Sequence, residues 1–266
     1  MAAETDTKRW QRFDQRQRIG RFALGLLAAV VAVGSWTYLS MDLQYVASSP
    51  AEIADLTGRM VPPDVAYTNE IVGPLIETVH IAVVGTILAV LVSLPVAFMA
   101  AENTTPNRFT YWLAKLIVTV TRSVHVIIWA LIFVVIFGPG AFAGMIAIGI
   151  RSIGFVGKLL GEEIEEIDFA QVEAVRATGA NGLQTLLYGI APQILPAFVG
   201  VSVYRWDINV RGATILGFVG AGGIGVPLFA AIDSFQWRAV STVLIAILVI
   251  VLVSEGVSAY ARKKVR

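Results

Sequence analysis

Arg205, Asp207 and Arg211 stand inside VGVSVYRWDINVRGATILGF, an otherwise apolar stretch that also holds Tyr204 and Asn209. An ionisable group in hydrocarbon costs roughly 2.5–3.5 kcal/mol on insertion scales, so such groups face a bundle interior or a wet cavity. Asp207 and Arg211 are spaced i,i+4 and share a helix face with Tyr204. Arg205 lies about 160° round the helix from Asp207, at about 100° per residue. One helix thus offers polar groups on two faces, one for a pathway and one for a partner helix or a second copy. Two chemistries are open: a structural ion pair between Asp207 and Arg211, and service to a translocating anion by Arg205 or Arg211. In another apolar stretch Arg151 and Lys158 share a face; Lys158 sits near the end and can snorkel, whereas Arg151 needs a partner. Arg122, with Ser123 and His125, interrupts a third apolar run. Together Arg122, Arg151, Arg205 and Arg211 predict a cationic interior suited to an anion.

Other chemistries find no support. His80 and His125 are the 2 histidines, placed in different apolar runs, and cysteine is absent, so neither a metal site nor a disulfide is expected. Paired acids, a Ser–His–acid set and metal-ligand spacing are not recognisable within the apolar runs, so an enzyme is not expected. Gly220-Ala221-Gly222-Gly223-Ile224-Gly225 satisfies G-x-G-x-x-G but lacks the strand, turn and helix that a dinucleotide site needs. It reads as a tight turn with close helix packing. Compatible with that is a re-entrant turn at the outer mouth of a pathway, built on Gly220, Gly222, Gly223 and Gly225. Gly157-Lys158 is followed by Leu159, and Ser152 stands where a phosphate loop needs its first glycine. No cofactor is expected in this chain, and any ATP must be hydrolysed by another. A net charge of +1 gives no basic field for nucleic acid.

The elements that position these residues are membrane spans. The 266 residues are 56% hydrophobic, against about 45–50% in soluble domains, and the excess lies in long runs. An all-α integral membrane protein with six spans is expected. These are about 22–40 (Phe22–Tyr38 at its core, closed by Trp36 and Tyr38), Thr78–Ala101, a run within Phe109–Phe137, Gly140–Leu160, Ile194–Phe218 and Ala239–Tyr260. The third run would exceed about 40 Å as one straight helix, at about 1.5 Å per residue. It is therefore expected to break at Arg122–His125 into Phe109–Thr121 and Val126–Phe137. Residues 1–21 carry Lys8, Arg9, Arg12, Arg16, Arg18 and Arg21, and 261–266 carry Arg262, Lys263, Lys264 and Arg266, whereas 41–76 carries only Arg59. Both termini are therefore expected in the cytoplasm and the 41–76 loop outside. That loop is expected to hold one short helix near Ala51–Met60, ended by Pro62-Pro63, and to be either a solvated connector or a surface for an external partner.

The polar stretch EAVRATGANGLQTLLYGIAP (Glu173–Pro192) lies between apolar runs, on the cytoplasmic side by this orientation. It divides at Gly179 and Gly182, which predicts two short helices at an angle, Glu173–Thr178 and Leu183–Tyr188. The acidic run GEEIEEID before it extends the fourth span. The stretch resembles the EAA coupling loop of permease subunits from ABC importers. Glu173, Ala174, Gly179 and Pro192 match that motif; Val175, Gly189 and Ala191 depart from it. Arg122–Gly144, Ser152–Asp168 and Tyr204–Gly225 resemble phosphonate-type permeases, and the likeness covers about 76–257. The resemblance implies a MetI-like bundle spanning 77–260, with a coupling loop at 162–192. It further implies a subunit of the plasma (inner) membrane that acts as a homodimer, with two ABC ATPase subunits holding ATP and Mg, and an external substrate-binding protein. The implied substrates are phosphonates or related phosphorus oxyanions, phosphate and phosphite among them. A permease for another small solute such as methionine, and an ion-coupled secondary transporter hinging on Asp207, are the alternatives.

Overall fold

The computed structural model describes residues 14–40 and 42–265. Lys8, Arg9, Arg12 and Arg266, used for the orientation, lie outside the described residues. Among those described, every regular element is a helix. The chain divides into two compact units, residues 1–57 and 58–266.

In the first unit, Asp14 caps α1 (Gln15–Tyr38) by accepting the Gln15 N–H at 2.7 Å. All its side chains are exposed, and an apolar helix of 24 residues without protein cover is long enough to span a bilayer. The second helix, α2 (Leu43–Met60), straddles the boundary between the units. It ends where Pro62-Pro63 predicts but begins eight residues before Ala51, because the Asp42 carboxylate accepts the Gln44 N–H at 2.8 Å and starts the helix there.

In the second unit, α3 (Thr68–Ala100) starts ten residues earlier than Thr78. The segment 41–76 is thus largely helical rather than a loop. Its polar first turns, with Glu70 and Glu77, continue the helix beyond its apolar stretch, where hydropathy alone cannot detect it. Residues between α2 and α3 are tied to the start of the last helix: Arg238 Nε donates to the Pro62 carbonyl at 2.8 Å, and Thr242 Oγ1 to that of Asp64 at 2.9 Å.

The expected break is present. α4 (Arg108–Ser123) opens with an Asn107–Thr110 capping box, and α5 (Val126–Phe137) turns away from it by 93°. Among the described residues five helices are long and apolar enough to cross a membrane, and six spans result when this bent pair counts as one. The long helix α6 (Ala141–Glu165) is the hub, packed by α3, α4, α5 and the fifth span. Small residues allow this: a Cβ on Gly85 of α3 would sit 2.8 Å from Ile148 Cγ2, so the two helices meet almost backbone to backbone.

After α6 come α7 (Phe169–Ala177), α8 (Gly182–Thr185), a π turn (Leu186–Ile190) and α9 (Ala191–Leu216). The expected second coupling helix is therefore no separate element; it runs through the π turn into the span. Pro192 is compatible with that continuity. It sits in the first turn of α9, where its missing N–H is tolerated. A 3₁₀ turn (Gly217–Val219), the unexpected α10 (Gly225–Asp233) and α11 (Trp237–Val265) complete the chain.

Candidate functional site

α9 divides its charged residues between two environments. Arg205 is 3% exposed. Its Nε donates to Ser152 Oγ on α6 at 2.8 Å, and its guanidinium lies 4.9 Å from the Phe155 ring centroid. Ser152 Oγ donates to Asn209 Oδ1 at 3.1 Å, Asn209 Nδ2 to Thr86 Oγ1 on α3 at 2.8 Å, and Thr86 Oγ1 to the Ala82 carbonyl at 2.6 Å. The hydrogen bonds run in one direction from the Arg205 Nε to the α3 backbone, so each donor atom in this series has an acceptor. Among the described residues no carboxylate pairs with Arg205. The cation is held by dipoles and an aromatic face.

Asp207, also 3% exposed, is on the opposite side. Its Oδ1 accepts from Ser254 Oγ on α11 at 2.9 Å, and its Oδ2 accepts from Arg211 Nη2. The Asp207–Arg211 ion pair is therefore present, with Arg211 half exposed. Sequence reasoning missed Ser152, Thr86 and Ser254. Each is a lone small polar residue in an apolar run, but a serine or threonine in such a run equally well bonds back to its own helix, as Thr86 also does.

A cleft of about 260 Å³ lies where α5, α6 and α9 meet, lined by His125, Arg151, Arg205, Asn209 and Arg211 among isoleucines. Four sequence-selected residues are thus brought together: His125, Arg151, Arg205 and Arg211. His125 caps α5, accepting the Ile127 N–H at 3.4 Å. Arg151 Nε is buried without a hydrogen-bond partner, and no carboxylate lines the cleft. Three residues are not among them. Asp207 faces α11, Tyr204 packs against Phe155 with centroids 6.0 Å apart, and Arg122 lines a different depression with Lys115 and Lys158. The last of these, Lys158, pairs with Glu162 at 3.1 Å.

The segment between α6 and α9 forms a second concavity of about 640 Å³. Ala174 and Gly179 line it together with Val175, Gln184 and Tyr188; Glu173 and Pro192 are exposed nearby in the chain but do not line it. Gly179 has φ +84°, a left-handed conformation that reverses the chain after α7. Val172 anchors α7 inward, and a Cβ on Gly189 would come within 3.3 Å of the Val172 Cα. That close approach explains the glycine where the motif usually has an apolar residue. Gln193 staples both ends: its Oε1 accepts the Asp168 N–H at 2.9 Å and its Nε2 donates to the Gly189 carbonyl at 2.7 Å.

Gly220, Gly222 and Gly223 all have positive φ, and the turn is pinned by the Gly140 N–H on the Gly220 carbonyl at 2.8 Å and the Ile224 N–H on Thr78 Oγ1 at 2.7 Å. Gly225 has ordinary φ; a Cβ there would meet Gly217 Cα at 2.9 Å. No cluster of three or more metal-ligating side chains occurs among the described residues.

Comparison with known proteins decides what kind of molecule carries these features. The family described as binding-protein-dependent transport system inner membrane component matches residues 93–266. The chain belongs to this family. It is a permease subunit of ABC importers, not an enzyme, and the ATPase of such systems is a separate subunit. The permease is 38% identical over 260 residues to the phosphite transport system permease protein PtxC of Stutzerimonas stutzeri, covering 94% of each chain. It is 37% identical to the phosphate-import permease protein PhnE of Mycolicibacterium smegmatis, covering 94% of this chain but 47% of that longer one. In fold it matches a chain of the inward-facing MetNI methionine ABC transporter, with a TM-score of 0.66 and 22% identity, over 78% of this permease and all of that chain.

Proposed function

We propose that this permease carries a small phosphorus oxyanion, a phosphonate, phosphite or phosphate, across the plasma membrane. An external binding protein delivers the ion, and two ATPase subunits bound to the Glu173–Pro192 segment drive its passage. Two copies of the chain form the pathway, with both termini in the cytoplasm. Support for the substrate class comes from one observation above all: Arg151 and Arg205 bring two cations to a cleft among spans without any carboxylate to neutralise them. An acidic group would favour the ammonium of a zwitterionic amino acid, and the cleft has none. A proton-coupled carrier would call for a titratable acid free to load. Asp207 is already engaged by Arg211 and Ser254.

In the mechanism, closure of the ATPases pushes on Ala174 and Gly179. Because the second half of the segment is continuous with α9, that push reaches Arg205 and Arg211 along one run of helix. The glycine turn at 220–225 stands at the outer mouth of the pathway, and lipid covers the rest. In the assembled complex, ATPase activity is expected to rise with binding protein loaded with phosphite, methylphosphonate or phosphate, and not with methionine. Stimulation by methionine alone would overturn the substrate class. Glu173→Lys and Gly179→Val are expected to leave membrane insertion intact and lower uptake at least about tenfold, the valine because a side chain at left-handed φ costs roughly 1–2 kcal/mol. Normal uptake with normal stimulation in both variants would remove the coupling role.

A further inference from the structure

We propose that the cleft between α5, α6 and α9 reads an anion with three oxygens and one apolar substituent, and so holds phosphite or an alkylphosphonate more tightly than phosphate. The inference rests on the reading that this chain transports phosphorus oxyanions. The cleft has two kinds of lining that differ in chemistry. On one side of the ledger of contacts stand the arginines. Arg205 uses Nε on Ser152 and rests on Phe155, which fixes the guanidinium plane; among the described residues its two terminal amino groups have no protein acceptor. Arg151 keeps even its buried Nε without a partner. Two guanidinium forks with unused donors, and no carboxylate in the lining, suit a dianion that accepts several hydrogen bonds at once. Arg211 adds little charge of its own, because Asp207 binds it.

The remaining lining is mainly apolar and rich in isoleucine, because Asn209 is engaged by Ser152 and Thr86 and His125 is engaged in capping α5. Ile148 stands one helical turn before Arg151, Ile208 lies midway between Arg205 and Arg211, and Ile215 follows Arg211 by four residues. Spacings of three and four put each isoleucine on the same helix face as its arginine. Every cation therefore has an apolar neighbour within one turn. The volume of about 260 Å³ leaves room for a single tetrahedral ion and a few waters, each water taking about 30 Å³. Phosphite offers three oxygens and a hydrogen on phosphorus; a phosphonate offers three oxygens and a carbon. Their fourth substituent needs no hydrogen bond and can lie on isoleucine. Phosphate presents an oxygen there, which loses water and gains no donor, for a penalty of about tenfold or more in affinity.

The test is ³¹P line broadening of phosphite, methylphosphonate and phosphate mixed in one sample with the assembled, nucleotide-free transporter lacking its binding protein. The difference between wild type and Arg151→Gln isolates this cleft from other phosphate sites in the assembly. Phosphite and methylphosphonate are expected to show that difference at concentrations about tenfold below phosphate. Ile208→Thr, which supplies a hydroxyl donor, is expected to bring phosphate towards phosphite, and Arg151→Lys, which keeps charge without the fork, to weaken all three ions. A phosphate response equal to or stronger than that of phosphite overturns the selectivity. Normal uptake of phosphorus oxyanions, with no broadening that depends on Arg151 in a variant of unchanged elution and helicity, overturns the site and leaves the transport reading standing. Absence of uptake of any phosphorus oxyanion by the wild-type complex removes the transport reading itself, and the inference with it.

Discussion

Arg205 and Arg211 sit on one helix, six residues apart, and line one cleft, yet the protein treats their charges in opposite ways. Arg211 is half exposed and is neutralised by an acid one turn away. Arg205 is almost fully buried and has only a serine, an asparagine beyond it and an aromatic face. A chain that needed both charges only for packing would give the more buried one the carboxylate, because an uncompensated ion loses most when water is removed. Here the carboxylate goes to the more exposed arginine. The buried cation is left with donors to spare, which is the arrangement expected of a group that waits for an anion from outside the chain.

Replacing the buried member tests this most strongly. Arg205→Met keeps much of the side-chain volume and removes the charge. If Arg205 serves packing alone, losing its hydrogen bond to Ser152 should destabilise the protein, and uptake should fall only as far as stability does. We expect instead that the protein keeps its thermal midpoint within a few degrees while uptake falls about 100-fold, the loss of a charge-assisted contact to the moving ion. A fall in stability that matches the fall in uptake would reduce the residue to a packing role.

The other member is expected to give a smaller effect with a different signature. Asp207→Asn still offers Ser254 an acceptor but frees Arg211. Because Arg211 is half exposed, the cost to stability should be about 1–2 kcal/mol, well below that of splitting a fully buried pair. A third uncompensated cation should then hold the anion more tightly and slow its release, so KM falls and kcat falls together. Chemical denaturation and uptake kinetics measure the two parts separately. A variant with unchanged KM would show that Arg211 does not reach the ion, and the contrast with Arg205 would then be one of packing.

This contrast was only half legible in the sequence. The i,i+4 spacing of Asp207 and Arg211 announces their pair, because both groups belong to one helix and local geometry decides the contact. The break at Arg122–His125 is legible for a similar reason: an apolar run too long for a bilayer is interrupted by polar residues. The partners of Arg205 are not. Ser152, which accepts from Arg205, and Thr86, which accepts from Asn209 beyond it, belong to other helices, 53 and 119 residues from Arg205 in the chain, and only tertiary packing chooses them from many lone serines and threonines. The grouping of Arg151 with Arg205 depends on the packing of α6 against α9, and the presence of His125 but not Arg122 at the cleft goes with the 93° bend between α4 and α5, whose direction no periodicity encodes. The merging of the second coupling helix into α9 was not legible, because the polar stretch reads as ending before the span and the π turn that joins them leaves no periodic signal.

The smallest effect is expected one helix away. Lys158 shares α6 and a helix face with Arg151, so by sequence the two look alike. Lys158, however, pairs with Glu162, and both side chains are about half exposed, at 47% and 46%. Exposed pairs of this spacing contribute about 0.3–0.5 kcal/mol. Glu162→Gln should therefore shift stability by no more than about that amount, with weaker effect still at high salt. Uptake should stay at the wild-type level, because freeing a cation that water already solvates changes little in a cleft it does not line. If Glu162→Gln instead lowers uptake as much as Asp207→Asn, then exposure does not separate the cations of this permease, and the distinction drawn between Arg205 and Arg211 would have to rest on position along the pathway rather than on how each charge is compensated.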